Sequence, residues 1–573
     1  MLRFPLVVLF LAAVLYIPAQ AAPALDSYRL MLAGGGIRTC SSMVAKHCTE
    51  GHQIGSGRTS IFISLTDQQL ALLDASSWLT GAQRQQALKQ LRQLAAQIGA
   101  GPHSLAALTA GLREQDRQWL NSLDDRAWFG LVDLLEIVPE SKAGAHEQVA
   151  LTASNSGDAI AIYQTFVAMA AKRAGGQKPR ILVITASARD PFEAADFYQQ
   201  VFAQAGADSH WLPLDGVLHA AWRSGRCDAL AAVRAERLGS FRREAIYGEP
   251  VAYQQQLCRD PELLKSLVGG AHGVFLNGGD QSLTRAAFIA DDGRPAPWFE
   301  LLQQRFAADQ LVVGGTSAGT AVQAGGSAFG HPVPMISNGD SRAALARGAF
   351  AAGAPGEGCE RSGGCGGLKP DDLTYLAAGG LGLFNLGVVD THFSERARHP
   401  RLAVLQLMTG VPFGVGVDEN TALLVAPGDG QAALAVVGEN GVWLNDVTAA
   451  RRVDHGASVT VGPLRNHYLQ QGDRARLDRN GFAVTLAAGE TLPRLDASAK
   501  VEGLLAGDRL RQWLTGGCFA GTEAKGEDVS DDGILTATMS QGADYQQRLS
   551  VDAQRGPRCS YSNLGLTLRW QRR

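Results

Sequence analysis

One stretch decides the fold class: Gly314-Gly315-Thr316-Ser317-Ala318-Gly319-Thr320-Ala321, directly after the apolar run Gln310-Leu311-Val312-Val313. A G-x-S-x-G sequence after an apolar run is typical of a strand that turns sharply into a helix and exposes its serine above the end of a sheet. Gly315 and Gly319 are expected because a Cβ would clash in so tight a turn. A glycine-rich connection with an incidental serine is the alternative that this pattern leaves open.

Short apolar runs alternate with helical patterns on both sides of this stretch. Such alternation predicts an α/β fold with a mostly parallel sheet that is flanked by helices, and ligands at the carboxyl ends of its strands. We expect the first strand of a catalytic domain within residues 22–40 and the rest of that domain within 156–449. Further strands are predicted at 180–185, 210–214, 273–277, 310–313, 386–391 and 413–417.

Two regions depart from this alternation of strands and helices. Between 41 and 155, apolar residues recur at helical spacing, as in Leu88, Leu91 and Leu94, which predicts a mostly helical insertion. The tight turn Ala33-Gly34-Gly35-Gly36 precedes it, and without a complete phosphate-binding motif it is interpreted as a close-packed turn. Residues 450–573 contain short strands and turns, which predicts a β-rich C-terminal extension.

Composition and the N-terminus indicate an exported protein. The 573 residues include 52 basic and 55 acidic ones, a formal net charge of −3, which does not favour nucleic-acid binding. Arg3, an apolar run over 6–17 and Ala19-Gln20-Ala21 predict a signal peptide over 1–21. No later segment resembles a membrane span, so a periplasmic or extracellular location is expected.

The eight cysteines favour disulfide bonds in an exported chain. Their order suggests four local pairs: Cys40–Cys48, Cys227–Cys258, Cys359–Cys365 and Cys518–Cys559. Metal binding is the alternative, but neither a C-x-x-C nor an H-E-x-x-H spacing occurs, so no metal site is expected.

A serine hydroxyl needs a base before it becomes a good nucleophile. His392 is the candidate, because it follows the predicted strand at 386–391 and should lie at the same end of the sheet as Ser317. A third group must orient the imidazole. Asp418 and Glu419 both follow the strand at 413–417, and since successive strand residues point to opposite faces, only one of them should face the site.

Two further features surround these residues. Gly279, in Asn277-Gly278-Gly279-Asp280, and Ala318, next to the serine, are candidates for the backbone N–H donors of an oxyanion hole. Arg396, Arg398 and Arg401 follow the candidate base closely. A guanidinium binds carboxylates with a fixed pair of donors, so capture of acidic substrate groups is favoured over a solvated basic turn.

Over about 28–40 and 156–445, the chain resembles the cyanophycinases, serine peptidases related to aspartyl dipeptidases. The resemblance rests on five motifs in matching order: Leu-Ala-Gly-Gly-Gly at 32–36, Leu-Asn-Gly-Gly-Asp-Gln at 276–281, Gly-Gly-Thr-Ser-Ala-Gly at 314–319, Asp-Thr-His-Phe-Ser-Glu-Arg-Ala-Arg-His-Pro-Arg-Leu at 390–402 and Gly-Val-Gly-Val-Asp-Glu-Asn-Thr-Ala at 414–422. Thr391 is a departure, since the cyanophycinases have a glutamine there.

The resemblance implies a class I glutamine amidotransferase-like fold without a cofactor or metal. It also implies a substrate, cyanophycin, in which arginine is joined to the side-chain carboxyls of polyaspartate, and a β-aspartyl-arginine product. Ser317 would be the nucleophile, His392 the base and Glu419 the orienting carboxylate. The substrate-binding positions would be Gln281, Asp390, Arg396, Arg398 and Arg401.

Two other functions stay open on sequence grounds. One is an aspartyl dipeptidase or related exopeptidase acting on acidic peptides, and another is a non-catalytic protein that binds such peptides. An α/β-hydrolase esterase is disfavoured, because its order is serine, acid, histidine, whereas here the histidine precedes the acid. The sequence leaves the oligomeric state open, with a homodimer as one alternative.

Overall fold

The structure is a computed structural model that describes residues 25–55, 57–138, 146–356, 358–362, 365–489, 501–520, 523–552 and 556–573. The predicted signal peptide at 1–21 lies outside these residues. Within the described ranges, none of the helices combines the length and the apolar character that crossing a membrane would require.

The first sheet has nine strands, and five of them form its parallel part. In spatial order these five are Asp208–Trp211, Arg180–Ile184, Gly273–Leu276, Val312–Thr316 and Leu30–Ala33. Four antiparallel strands continue the sheet: Thr421–Gly428, Gln431–Gly438, Arg474–Asp478 and Gly481–Thr485. The predicted α/β sheet is therefore present, but only about half of it is parallel.

Helices cover both faces of the parallel part, as its buried inner strands require; the edge strand Asp208–Trp211 is more polar. On one face Phe166 and Phe202 pack with Phe275, and the helices of that face are Gly157–Ala171 and Ala195–Gln204. The opposite face is covered by Gly216–Arg223, Leu230–Leu238, Gly248–Arg259, Pro261–Gly269, Gln281–Phe288 and Pro297–Ala307.

The second sheet begins with the parallel strands Val388–Thr391 and Phe413–Val417. Six more strands follow along the sheet: Gly441–Asp446, Ser458–Gln470, Gly556–Arg572, Gly533–Asp552, Glu523–Val529 and Val501–Glu502, with Arg451–Asp454 paired beside Ser458–Gln470. The expectation that 386–391 and 413–417 share a sheet with Val312–Thr316 is wrong. Strand Thr421–Gly428 occupies the position next to Leu30–Ala33, so the chain crosses between the sheets at 418–420.

The C-terminal region is shared between the two sheets. Arg474–Asp478 and Gly481–Thr485 extend the first sheet, whereas the strands beyond residue 500 belong to the second. One apolar cluster runs from Leu30 in the first sheet to Leu568 in the second, so the predicted boundary at 449/450 does not divide the core.

The region predicted as a helical insertion has four α-helices in its described part: Asp67–Ala75, Gly81–Ile98, Leu105–Ser122 and Asp125–Leu135. They enclose a separate apolar cluster that includes Leu88, Leu91 and Leu94. Smaller elements complete the fold: the strands Phe62–Ile63, His103–Ser104, Ser327–Ala328, His331–Pro332, Met335–Asn338, Ala349–Ala351 and Leu373–Leu376, and the helices Arg243–Ile246, Ala318–Ala321, Ser341–Arg347, Cys359–Ser362, His399–Thr409 and Arg509–Ala520.

All four predicted disulfide pairings are confirmed: Cys40–Cys48, Cys227–Cys258, Cys359–Cys365 and Cys518–Cys559. The last of these joins the helix Arg509–Ala520 to the strand Gly556–Arg572 of the second sheet.

Buried charges dock the helical insertion onto the α/β part. Arg243 donates to Glu136 at 2.7 Å and to Asp190 at 2.6 Å, and its side chain is 2% exposed. Asp133 lies 3.4 Å from the same guanidinium. One arginine therefore compensates carboxylates from both parts of the chain.

We predict that Arg243→Met lowers the free energy of unfolding by about 3–5 kcal/mol, because the buried carboxylates lose a shared cation. Asp133 and Glu136 each keep a second arginine partner, so Asp190 loses the most. Urea unfolding measures the loss. Arg226→Met is the matched control, since the ion pair of Arg226 with Glu236 lies at the surface. An equal loss in the two variants would contradict the docking role.

Candidate active site

Ser317 lies at the predicted turn from a strand into a helix. Its backbone has φ 53° and ψ −116°, a strained conformation for a residue with a side chain. A Cβ on Gly315 would lie 2.1 Å from the Gly319 oxygen, and one on Gly319 would lie 2.3 Å from the Leu276 oxygen. The close packing therefore explains both glycines of the motif.

The structure brings Ser317, His392 and Glu419 into one hydrogen-bonded chain. Ser317 Oγ lies 2.7 Å from His392 Nε2, and His392 Nδ1 lies 2.6 Å from Glu419 Oε1. The serine comes from the first sheet, the histidine follows a strand of the second, and the glutamate lies where the chain crosses between them. The site is thus assembled at the junction of two sheets rather than at the edge of one.

The glycine turn at 34–36 forms the wall of this junction. A Cβ on Gly35 would lie 2.3 Å from His392 Cε1, and one on Gly36 would lie 2.6 Å from Glu419 Oε2. The backbone N–H of His392 donates to the Gly34 oxygen at 2.8 Å. The turn is close-packed, as interpreted from the sequence, and its function in seating the histidine had no recognisable sequence signal.

The environment keeps His392 neutral and Glu419 ionised. Burial is the main cause that lowers the pKa of His392 below its ordinary 6.5, and Arg396 and Arg398 lower it further. The hydrogen bond to Glu419 acts in the opposite direction on that pKa. The same hydrogen bond is the main cause that lowers the pKa of Glu419. A neutral imidazole can accept the serine proton, and the carboxylate can stabilise the cation that results.

Gly279 and Ala318 lie on the two segments that border the serine. The ideal Cβ position of Gly278 is 3.2 Å from Ser317 Cβ, so the loop that carries Gly279 lies directly beside the nucleophile. Gly279 has φ +143°, and its Cβ would lie 2.2 Å from the Ser187 oxygen. Among the residues that the structure describes, no acceptor receives the Gly279 N–H. Gly279 therefore stays a candidate donor to an oxyanion.

The residues predicted to bind substrate fall into two groups. Asp390 and Arg401 are buried and joined by two hydrogen bonds, 2.8 Å and 2.6 Å long, and Arg398 contacts the same carboxylate at 3.3 Å. Burial raises and the two guanidinium groups lower the pKa of Asp390, with a net decrease. Gln281 donates to the Ile336 oxygen at 2.7 Å. In this structure these four side chains form contacts within the protein and support the segments that surround the site.

Arg396 differs from the other two arginines because its side chain is exposed. Its charge acts on both His392 and Glu419, which places it beside the candidate catalytic residues. It is therefore the arginine of this segment that is best placed to meet a substrate from solvent.

Asp418 and Glu395 lie behind the site. Asp418 is fully buried and accepts the Ser394 N–H at 2.9 Å and the Tyr468 hydroxyl at 2.8 Å. Of the two candidate acids, only Glu419 contacts His392. Glu395 accepts the backbone N–H of Glu419 at 3.0 Å, a contact that the sequence did not predict.

Comparison with known proteins finds a set of similar curated chains, although no family model matches. The relatives from Trichormus variabilis and Nostoc sp. are each 29% identical over 310 residues, which cover 53% of this chain and 78% of the relative. A relative from Geminocystis herdmanii is 27% identical over 308 residues, which cover 52% of this chain and 84% of the relative.

These relatives are named cyanophycinases, so the predicted resemblance to the cyanophycinase family is confirmed over about half of this chain. A solved structure of a peptidase from an acI-B1 Actinobacterium covers 56% of this chain and 91% of its own. Its sequence identity is 18% and its TM-score 0.30, too low a score to bear on the fold.

We predict that Gly35→Ala slows labelling of Ser317 by a fluorophosphonate probe by at least about 100-fold, because the added methyl group displaces the His392 ring. Gly51→Ala is the matched control. Gly51 also has a positive φ, of +79°, but no atom lies within 4 Å of its ideal Cβ position. Equal labelling rates in the two variants would show that the turn does not seat the histidine.

We also predict that the His392 imidazole titrates below pH 6.5 and that Arg396→Gln moves this midpoint upward. Removal of a nearby positive charge makes protonation easier, so the neutral base is lost at a higher pH. Histidine NMR signals, assigned with a His392→Gln variant, measure the midpoint. Arg479→Gln, in a turn at the edge of the first sheet, should leave it unchanged. A midpoint at or above 6.5 in the unaltered chain would contradict the prediction.

Proposed function

We propose that this chain is an exported serine peptidase that hydrolyses cyanophycin to β-aspartyl-arginine dipeptides, with Ser317, His392 and Glu419 as its catalytic residues. The observation that carries the proposal is the continuous chain from Ser317 Oγ through the imidazole to Glu419 Oε1, with steps of 2.7 Å and 2.6 Å. The named relatives support the substrate. We assign the α/β part to the class I glutamine amidotransferase-like fold and expect no cofactor.

Acylation begins when Ser317 Oγ attacks a peptide carbonyl carbon and its proton moves to His392 Nε2. Glu419 holds the other ring nitrogen as the N–H tautomer and stabilises the imidazolium. The carbonyl oxygen becomes an oxyanion, to which the N–H groups of Gly279 and Ala318 donate. His392 then protonates the leaving amine, and the tetrahedral intermediate collapses to an ester on Ser317.

Deacylation repeats these steps with water. His392 Nε2 takes a proton from water, the hydroxide attacks the ester carbonyl, and the proton then returns to Ser317 Oγ as the acyl group leaves. Because its pKa is lowered, His392 begins each half of the reaction as a neutral base at neutral pH.

Substrate recognition is assigned first to Arg396. A polyaspartate chain offers carboxylates near the scissile bond, and an exposed guanidinium beside the catalytic residues can bind them with paired donors. Asp390, Arg398 and Arg401 then act on recognition by holding the segment from which Arg396 projects. Gln281 acts by holding the strand of Ile336. Four disulfide bonds support a location in an oxidising compartment, outside the cytoplasm.

An aspartyl dipeptidase is the second candidate, and Thr391 favours it. This residue replaces a glutamine of the cyanophycinases and is 4% exposed, so it offers little surface to a polymer. A smaller acidic peptide would still meet Arg396 and the catalytic residues.

The decisive experiment incubates the purified chain with insoluble cyanophycin and, separately, with a panel of aspartyl dipeptides, and identifies products by mass. We expect β-aspartyl-arginine from cyanophycin, and we expect Ser317→Ala to slow its release by more than about 10⁴-fold while leaving the fold intact. Ser327→Ala, at an exposed serine, is the matched control.

The product pattern separates the candidates. Cleavage of dipeptides alone identifies the second candidate, and binding of cyanophycin without any cleavage identifies a non-catalytic binding protein. Full activity of Ser317→Ala would refute the serine mechanism.

A further inference from the structure

We propose that Arg511, from the C-terminal helix Arg509–Ala520, is a positioning residue that holds His392 and Glu419 in register. The inference rests on the catalytic roles proposed above and assigns a function to a region beyond the resemblance to cyanophycinases. Arg511 acts through two carboxylates and touches neither the histidine nor the serine in the hydrogen bonds that the structure describes.

Arg511 bridges two segments of the active site from behind. Its Nη1 lies 2.9 Å from Glu395 Oε1 and 3.0 Å from Asp418 Oδ2, while Nη2 donates to Asp508 on the same helix. Glu395 lies three residues after His392, and Asp418 immediately precedes Glu419. The guanidinium therefore joins the segment of the base to the segment of the acid.

Each carboxylate in turn holds the backbone of the opposite segment. Asp418 Oδ1 accepts the Ser394 N–H at 2.9 Å, and Glu395 Oε2 accepts the Glu419 N–H at 3.0 Å. This reciprocal arrangement sets the distance between the chain that follows His392 and the chain that carries Glu419. His392 itself has a φ of 45°, so its segment needs such external support.

The ionised forms of Glu395 and Asp418 are stabilised by the positive charge of Arg511. Asp418 has no exposed side-chain surface and Glu395 is 21% exposed, so their charges are poorly solvated. Burial and the charge of Asp418 raise the pKa of Glu395 to about 7, and Arg511 opposes this increase. Without Arg511 the pKa of Glu395 would rise further. Once Glu395 ionises, the two neighbouring carboxylates would repel each other within the protein, and the segments would separate or rearrange.

The helix of Arg511 is anchored firmly enough for this role. Leu510 and Leu514 are buried in the main apolar cluster, and Cys518 joins the helix to Cys559 in the second sheet. The C-terminal region thus supplies a buried charge to the active site in addition to its packing surface.

The test measures the full-length chain and the variants Arg511→Met, Arg511→Lys and Arg509→Met. Release of β-aspartyl-arginine gives kcat and KM, and fluorophosphonate labelling reports the reactivity of Ser317 without any substrate. We expect Arg511→Met to lower kcat and the labelling rate by about 100-fold with little change in KM, and Arg511→Lys to recover part of both. Arg509→Met, which among the described residues loses a hydrogen bond to the Glu502 oxygen, should retain both.

A double variant separates positioning from a general loss of stability. Arg511→Met combined with Glu395→Gln removes one of the two buried negative charges, that of Glu395, while leaving an oxygen to accept the Glu419 N–H. At a pH above the pKa of Glu395, we expect this variant to label at least about tenfold faster than Arg511→Met alone, because the repulsion between Glu395 and Asp418 is gone. If Arg511→Met does not fold, labelling of Arg511→Lys and of the double variant decides.

Two outcomes would overturn the proposal: Arg511→Met labelling at the unaltered rate, or equal losses in Arg511→Met and Arg509→Met. A chain that labels at Ser317 but releases no dipeptide would refute the proposed substrate and leave this inference standing. A chain in which Ser317 does not label at all would refute the catalytic assignment on which the inference rests.

Discussion

The closely packed glycine turn at 34–36 holds together the segments that carry the candidate catalytic residues. Backbone N–H groups from three segments end on the carbonyls in and next to this turn: Ser317 on Ala33, His392 on Gly34 and Asn420 on Gly35. Any side chain at Gly35 or Gly36 would occupy the space of the candidate base or acid. Because the three glycines have no Cβ atom, the two sheets approach closely enough for a serine, a histidine and a glutamate to form one hydrogen-bonded chain.

Charge is arranged in two layers around this junction. At the front, Glu419 faces the imidazole, and the exposed Arg396 lowers the pKa of the base. Behind it, buried carboxylates and guanidinium groups pair with each other, as Asp390 does with Arg401 and Asp418 with Arg511. Asp390 and Asp418 also each accept a backbone N–H group, from Thr391 and from Ser394. These ion pairs therefore hold in place the backbone on either side of His392.

Local chemistry made much of the fold predictable. The strand-to-helix turn at Ser317 and the helices near Leu88 depend on residues close together in sequence, where periodicity and turn sterics carry the information. The four disulfide pairs follow the order of the cysteines, although two of them join cysteines that are 31 and 41 residues apart. The sheet to which Val388–Thr391 belongs was not predictable in this way. A short apolar strand carries no mark of its partner, and Thr421–Gly428 competes for the same edge.

Sequence motifs identified Ser317 and His392 as candidates and limited the third residue to Asp418 or Glu419, because these motifs are local and their chemistry is specific. Only the tertiary structure decided how they meet, which of Asp418 and Glu419 faces the imidazole, and that Arg396 is exposed while Arg401 is buried. It alone brought Arg511 to the site from over ninety residues away. Burial and ion pairing depend on which segments pack together, and the spacing of residues along the chain does not reveal which residues will be neighbours in space.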